Sequence, residues 1–203
     1  MLLLALQLAA AHVVVDVKSV PKPAPAPIAA AHVAVAPEAQ DAAKKVYATR
    51  CALCHGAKGQ GDGPSAGGLP VKPRRHSDAL WQASVTDDDI AAVIAKGGSA
   101  RKLSILMPAS PDLKPDVVKA LVDIIRSLRA PNGTARATLV GADKRAIVAS
   151  ADAAGDGSAH VDVAVAPGTY AVSVEVAPGV VACTTSVTVA NVDVHVACER
   201  KSP

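Results

Sequence analysis

The sequence predicts a multidomain protein, an all-helical domain followed by a small all-β domain of the β-sandwich kind. Three observations predict it. Apolar residues recur at helical spacing as far as Leu128, as on the buried stripe of an amphipathic helix. From Thr134 onward apolar and polar residues alternate, which is the period of a half-buried strand. Between the two patterns stands Pro131-Asn132-Gly133, a run that breaks either element. The length of 203 residues accommodates two small domains.

Leu2–Ala11 is a short apolar run closing in Ala9-Ala10-Ala11, and it reads as an export signal with a small-residue cleavage site. The competing reading is a disordered or strand-forming tail. Even extended to Val15 the run is too short to span a bilayer. Residues 1–19 are therefore assigned as a signal peptide or N-terminal apolar segment. Residues 20–37 are rich in Pro and Ala and nearly uncharged, so they favour extended chain that buries little surface. They are read as a linker. His12 and His32 each follow an alanine run and show no ligand pattern.

The helical domain spans residues 38–131. Its first helix begins near Pro37, with an acid early and Ala42, Ala43, Val46 and Tyr47 on one face. Next comes Cys51-Ala52-Leu53-Cys54-His55. C-x-x-C-H is the attachment signature of haem c: the two thiols bond the porphyrin vinyl groups as thioethers, and the adjacent imidazole ligates iron. One helical turn carries all three groups. A zinc site would want a second C-x-x-C or a distant Cys/His pair, and the only other cysteines, Cys183 and Cys198, lie far along the chain in a stretch that reads as a β-hairpin. One motif implies one covalently bound haem.

Glycines 56, 59, 61, 63, 67 and 68 then crowd the chain, as where backbone lies close against a flat ligand or in a flexible surface loop. Ser77–Ala83 reads as a short helix capped by Ser77. Thr86 and Asp89 form a capping box for a helix Asp87–Lys96, which Gly97-Gly98 ends. Pro115 opens a last helix to Arg129, with Val117, Val118, Leu121, Ile124, Ile125 and Leu128 as its stripe. Met107, in Leu106-Met107-Pro108-Ala109, is the candidate sixth iron ligand, since a thioether opposite a histidine suits an electron carrier. Its rival within the domain is His76, and its ordinary alternative is core filling.

Composition supports a bound cofactor and excludes one partner class. Half the residues are hydrophobic, yet the chain has no Phe, one Trp and two Tyr. A core so poor in large side chains gains from the apolar volume of a haem. Residues 41–133 carry 14 Lys/Arg against 9 Asp/Glu, a surplus of +5, with no basic run and no interleaved aromatics. That argues against nucleic acid and is compatible with an acidic redox partner.

The run C-A-L-C-H-G-A-K-G-Q-G-D-G-P, followed by D-A-L-W-Q-A-S-V-T-D-D-D-I-A-A-V-I, G-G and L-M-P-A-S-P-D-L, resembles the class I cytochrome c domains. The branch it looks most like is that of the third subunit of cbb3-type oxidases. The resemblance covers about residues 38–130 and implies an all-helical fold, first and last helices crossing, and electron transfer. It implies that the Pro64 carbonyl accepts the His55 ring N–H. It also implies that Trp81 lines the haem or approaches a propionate, where the alternative is core packing. The sequence departs from the pattern at Arg74-Arg75-His76, where relatives often carry an acidic-aromatic pair.

The β domain is assigned to residues 134–203, with strand candidates Ala135–Val140, Ala146–Ala149, His160–Val165, Thr169–Val176, Val180–Val189 and Val192–Cys198. If Ala190-Asn191 is a two-residue turn, Val189 faces Val192, Val187 faces Val194, and Cys183 faces Cys198 within bridging distance. A hairpin closed by a disulfide is expected, because an exported protein oxidises such a pair. His160 and His195 read as surface strand residues. The run P-G-T-Y-A-V-S-V-E-V resembles carboxypeptidase-regulatory-like or transthyretin-like modules, which implies an accessory or docking role.

The expectation is a monohaem c-type cytochrome, not itself an enzyme, carrying single electrons outside the cytoplasm of a bacterium. Cys51 and Cys54 anchor the haem, and His55 and Met107 ligate its iron. The partners expected are a redox donor and acceptor, including a membrane oxidase or dehydrogenase of which this chain is a subunit or membrane-associated carrier. The alternative is a haem enzyme or a gas or peroxide sensor in which Met107 is displaced.

Overall fold

The computed structural model describes residues 10–23, 35–190 and 192–199. The chain forms two compact units. One is Ala24–Ala130; the other joins the chain up to Pro23 with the chain from Pro131. A helical domain followed by a β domain is thus present as the sequence predicts, and the β unit also takes in the chain before the helices, so that the helical unit is an insertion in it.

In the helical unit, α1 (Pro37–Val46) continues through one π-helical turn at Tyr47–Cys51 into α2 (Ala52–His55). Then follow α3 (Ala79–Ser84), α4 (Asp87–Lys96) and α5 (Pro115–Ser127). Proline opens both α1 and α5, where its missing N–H has no partner to lose. Ala39 and Ala43 of α1 pack against the α5 stripe around Val118, Leu121 and Ile125, with Ile90 and Ile94 of α4 in the same core.

Thr86 and Asp89 form the expected capping box. At α3 the cap is Asp78 and not Ser77: the Asp78 carboxylate accepts the N–H groups of Leu80 and Trp81 at 2.9 and 3.0 Å. One carboxylate oxygen, Oδ1, accepts both amides, and an aspartate is as good a cap as a serine. Arg126 fastens the α3–α4 turn to α5. It donates to the Asp87 carboxylate at 2.7 Å and to the carbonyls of Gln82 and Val85 at 2.7 and 2.8 Å.

The β unit holds β1 (Ala11–Lys18), β2 (Thr134–Val140), β3 (Ala146–Asp152), β4 (Ala159–Val165), β5 (Gly168–Ala177), β6 (Val180–Val189) and β7 (Val194–Glu199). They form two sheets, ordered β4-β1-β7 and β3-β2-β5-β6. Val13, Val15 and Val17 from one sheet share a core with Ala137, Leu139, Val172 and Val174 from the other, so the unit is a β-sandwich.

Two expectations change here. The first concerns residues 1–19. Met1–Ala9, which carries most of the expected export signal, lies outside the described residues, as do 24–34 of the linker. Ala11–Lys18, however, is a structural strand at the centre of its sheet. It is antiparallel to β4, with Val15 opposite Val161, and parallel to β7, with Val15 opposite Val196. The second concerns β6 and β7, which do not form a hairpin. β6 pairs with β5, and β7 pairs with β1 in the other sheet. Cys183 and Cys198 are joined by a disulfide, S–S 2.03 Å, but it links two sheets and not two neighbouring strands.

The chain leaves and re-enters the β unit side by side. The Val20 N–H donates to the Gly157 carbonyl at 2.9 Å, and Gly133, at φ +92°, lies so close to the Pro21 carbonyl that a β-carbon would collide with it. Among the described residues no helix is long and apolar enough to cross a membrane.

Candidate haem site

The site begins where α1 changes pitch. The Ala52 N–H reaches back five residues to the Tyr47 carbonyl, the extra residue of a π turn, a feature common at functional sites. Beyond it Cys51 and Cys54 are free thiols, both half-buried, and His55 closes α2 as a buried side chain. Burial pushes the Cys51 thiol above its ordinary pKa.

The glycine-rich segment covers the end of α2. The Gly56 N–H donates to the Ala52 carbonyl, Ser65 to Leu53, Gly63 to Cys54 and Gly61 to His55, at 2.8 to 3.2 Å. All four final carbonyls of the helix, which lack partners within it, are thereby satisfied. Glycine is required at 63 because a β-carbon there would overlap the Ala52 and Leu53 carbonyl oxygens. At this position the close approach is to the helix's own backbone and not to a ligand.

The His55 ring is held on one edge and one face. Its Nδ1 lies 2.8 Å from the Arg74 carbonyl oxygen, to which an Nδ1–H donates. The bond assigned by resemblance to the Pro64 carbonyl thus runs to Arg74; Pro64 is exposed, in a segment turned toward the end of α2. With Nδ1 so engaged, Nε2 is the nitrogen left for a metal. Desolvation by burial, first among the causes, lowers the His55 pKa and favours the neutral ring a metal needs.

On its face, His55 stacks with His76, centroids 4.1 Å apart and planes 15° apart. Burial, followed by the neighbouring His55 and Arg74, pushes the His76 pKa well down. The Tyr47 hydroxyl donates to the Gly56 carbonyl at 3.2 Å and lies 3.3 Å from His76 Nδ1. Burial raises the tyrosine pKa, so it remains a donor. Trp81 stacks with His76 at 5.8 Å and packs on the helical core, and the Arg74 guanidinium lies 5.9 Å over the indole.

Met107 sits on the loop between α4 and α5 with its side chain half-buried. Its carbonyl accepts the Gly98 N–H at 2.9 Å and its own N–H donates to the Ser104 carbonyl at 3.2 Å. Leu103, Ile105 and Leu106, just before it, and Leu53, between the cysteines, are all exposed.

These residues fit a covalently held haem. Two unbridged thiols and a buried imidazole with one nitrogen already engaged occupy a single turn, and exposed apolar side chains adjoin Cys54 (Leu53) and Met107 (Leu106) in sequence. Sequence reasoning missed the Arg74 carbonyl and the residue that pins this segment. Gln82 donates to the His76 carbonyl at 2.7 Å and to the Ile125 carbonyl at 2.8 Å. The one available signal was a glutamine in a short apolar helix; a backbone acceptor leaves none.

Residues 40–129 match the family model described as Cytochrome c. No curated protein matches the chain. Among solved structures, a chain of the reducing HAO-like protein complex of Kuenenia stuttgartiensis is 26% identical, with a TM-score of 0.37. That match covers 48% of this chain and 46% of the other, so this chain spans less than half the length of that neighbour. A cytochrome c domain implies haem-based electron transfer.

Proposed function

We propose that this protein carries one haem c, attached through Cys51 and Cys54 with His55 and Met107 as axial ligands, and passes single electrons between redox partners outside the cytoplasm. The observation that carries the reading is the buried His55 ring, fixed through Nδ1 by the Arg74 carbonyl, on the same turn as two free thiols. Haem c, when bound, supplies one-electron cycling of its iron between ferrous and ferric forms.

The chain's own contribution is rigidity and exclusion of water. Cys51 and Cys54 fix the attachment, the glycine-capped end of α2 holds His55 in place, and the α4–α5 loop presents Met107. His76 lies flat against His55, so the two rings do not face each other across a space that an iron would fill. This favours Met107 over His76 as the second ligand. The basic surplus of residues 41–133 suits an acidic partner surface. The β-sandwich, in the accessory role of transthyretin-like modules, serves docking, and the chain acts as a free carrier or as an oxidase- or dehydrogenase-associated subunit of the cbb3 subunit III kind.

Met107→Ala tests the assignment. The expected result is loss of the sulfur-to-iron charge-transfer band and a lower reduction potential, with haem still attached by mass. An unchanged spectrum and potential would remove Met107 as ligand. Rapid carbon monoxide binding to the wild-type ferrous form would mark an open site and favour the enzyme or sensor.

A further inference from the structure

We propose that His76 is a positioning residue that sets the rotation of the His55 ring about its bond to iron. The proposal rests on the haem reading above and adds a determinant that the attachment motif does not contain. A hydrogen bond tolerates a broad range of angles, so the Arg74 carbonyl alone restrains one edge of His55 only loosely. A second ring parallel to within 15° and 4.1 Å away restrains the plane itself.

His76 is placed to do this because it is packed on several sides. It is 6% exposed. Its carbonyl is held by Gln82, which is anchored in turn on Ile125 of α5. The next residue, Ser77, donates its N–H to the Gly59 carbonyl at 3.0 Å. Gly59, at φ +69°, lies so close that a β-carbon there would come within 2.8 Å of the His76 β-carbon. Trp81 stacks on His76 as well, at 5.8 Å and 25°. His55 thus rests on a ring whose position is set by the helical core.

The consequence is electronic as well as mechanical. The plane of an axial imidazole selects which iron d orbital holds the unpaired ferric electron. A plane held alike in both oxidation states also leaves less rearrangement to accompany electron transfer. Such support around a ligand histidine is how a protein tunes a metal it does not itself supply.

The test uses the haem-loaded full chain and two substitutions of similar bulk. His76→Leu fills the space without a flat face, and His76→Phe keeps the flat face without ring nitrogens. With haem attachment verified by mass, His76→Leu is expected to shift the largest ferric g value and narrow the spread of the four haem-methyl proton shifts. His76→Phe is expected to restore the wild-type pattern. Unchanged g values and methyl shifts in His76→Leu, or a Phe variant as perturbed as the Leu variant, would overturn the proposal. In the wild-type protein, nuclear Overhauser contacts between the His55 and His76 rings are expected, and their absence would overturn it even if neither variant folds. A wild-type chain without covalent haem would instead bring down the function reading, and this proposal with it.

Discussion

Cys183 on β6 and Cys198 on β7 join the free edges of two different sheets, their α-carbons 5.8 Å apart. Each lies opposite a core valine on its neighbouring strand: Cys183 opposite Val174 and Cys198 opposite Val17. The bridge therefore closes one side of the sandwich. With the cysteines 15 positions apart in sequence, cross-linking the unfolded chain is worth about 3 kcal/mol. The double variant Cys183→Ala/Cys198→Ala should lower the unfolding free energy of the β unit by about that amount. Denaturant titration checks it, and a loss below ~0.5 kcal/mol would show the sandwich closed without the bridge.

Val15 tests whether β1 is structural. It is fully buried between β4 and β7, so Val15→Asp places an unpaired carboxylate in the core at a cost of several kcal/mol. The expected outcome is loss of strand signal in circular dichroism and ready reduction of the Cys183–Cys198 bond under native conditions. Val14→Thr, on the opposite face of the strand, should stay within ~0.5 kcal/mol of wild type. Equal behaviour of the two variants would contradict the strand's place.

The outer face of the same sheet predicts a pH dependence. His12 Nδ1 lies 2.6 Å from the Asp162 carboxylate, and that hydrogen bond, ahead of the charge itself, raises the His12 pKa above 6.5. Asp193 also accepts the His12 backbone N–H at 2.8 Å. Asp16 faces His160 at 2.6 Å and His195 at 3.6 Å. The His160 hydrogen bond, the largest cause, lowers the Asp16 pKa below 3.8. A raised histidine stabilises the fold fully below the unfolded value near 6.5, and loses that contribution as pH rises through the folded value. A lowered aspartate contributes above about 3.9 and loses its contribution as pH falls through its folded value. Both contributions are present together between roughly pH 4 and 6.5. Proton NMR should show His12 titrating above 6.5 and moving down toward it in Asp162→Asn; equal titration in both proteins would rule the pair out.

Local chemistry was the most legible part of the sequence. The Thr86–Asp89 capping box and the Pro115 start of α5 depend on neighbours within one turn, and both are present. From Thr134 onward all six strand candidates are strands, and the burial of β4, β5 and β7 follows the alternation. What escaped needed distant partners. β1 reads as an apolar tail because Val13-Val14-Val15 runs on without a break, and its alternation shows only at Asp16 and Lys18. Its neighbours lie some 150 and 180 residues further on. Likewise the disulfide partners could be named from a hairpin register that the fold does not use, since β7 finds its partner in β1. At the candidate haem site, the spacing of Cys51, Cys54 and His55 already puts the three side chains on one turn, as the fold does. The carbonyl that orients His55 and the ring that lies on it were not, because neither a backbone oxygen nor a stacking face has a sequence period.

A strand near residue 11 that closes on one ending at residue 199 also fixes an order of events. As the chain is made from its N-terminus, α1 to α5 are complete before β4 or β7 has been synthesised. Every residue of the helical unit is then available, while β1 waits with its valines uncovered until the last strand arrives. Pairings this distant in sequence form slowly. The turn bearing Cys51, Cys54 and His55 is thus made long before β1 can be covered on both sides, and the sandwich seals last.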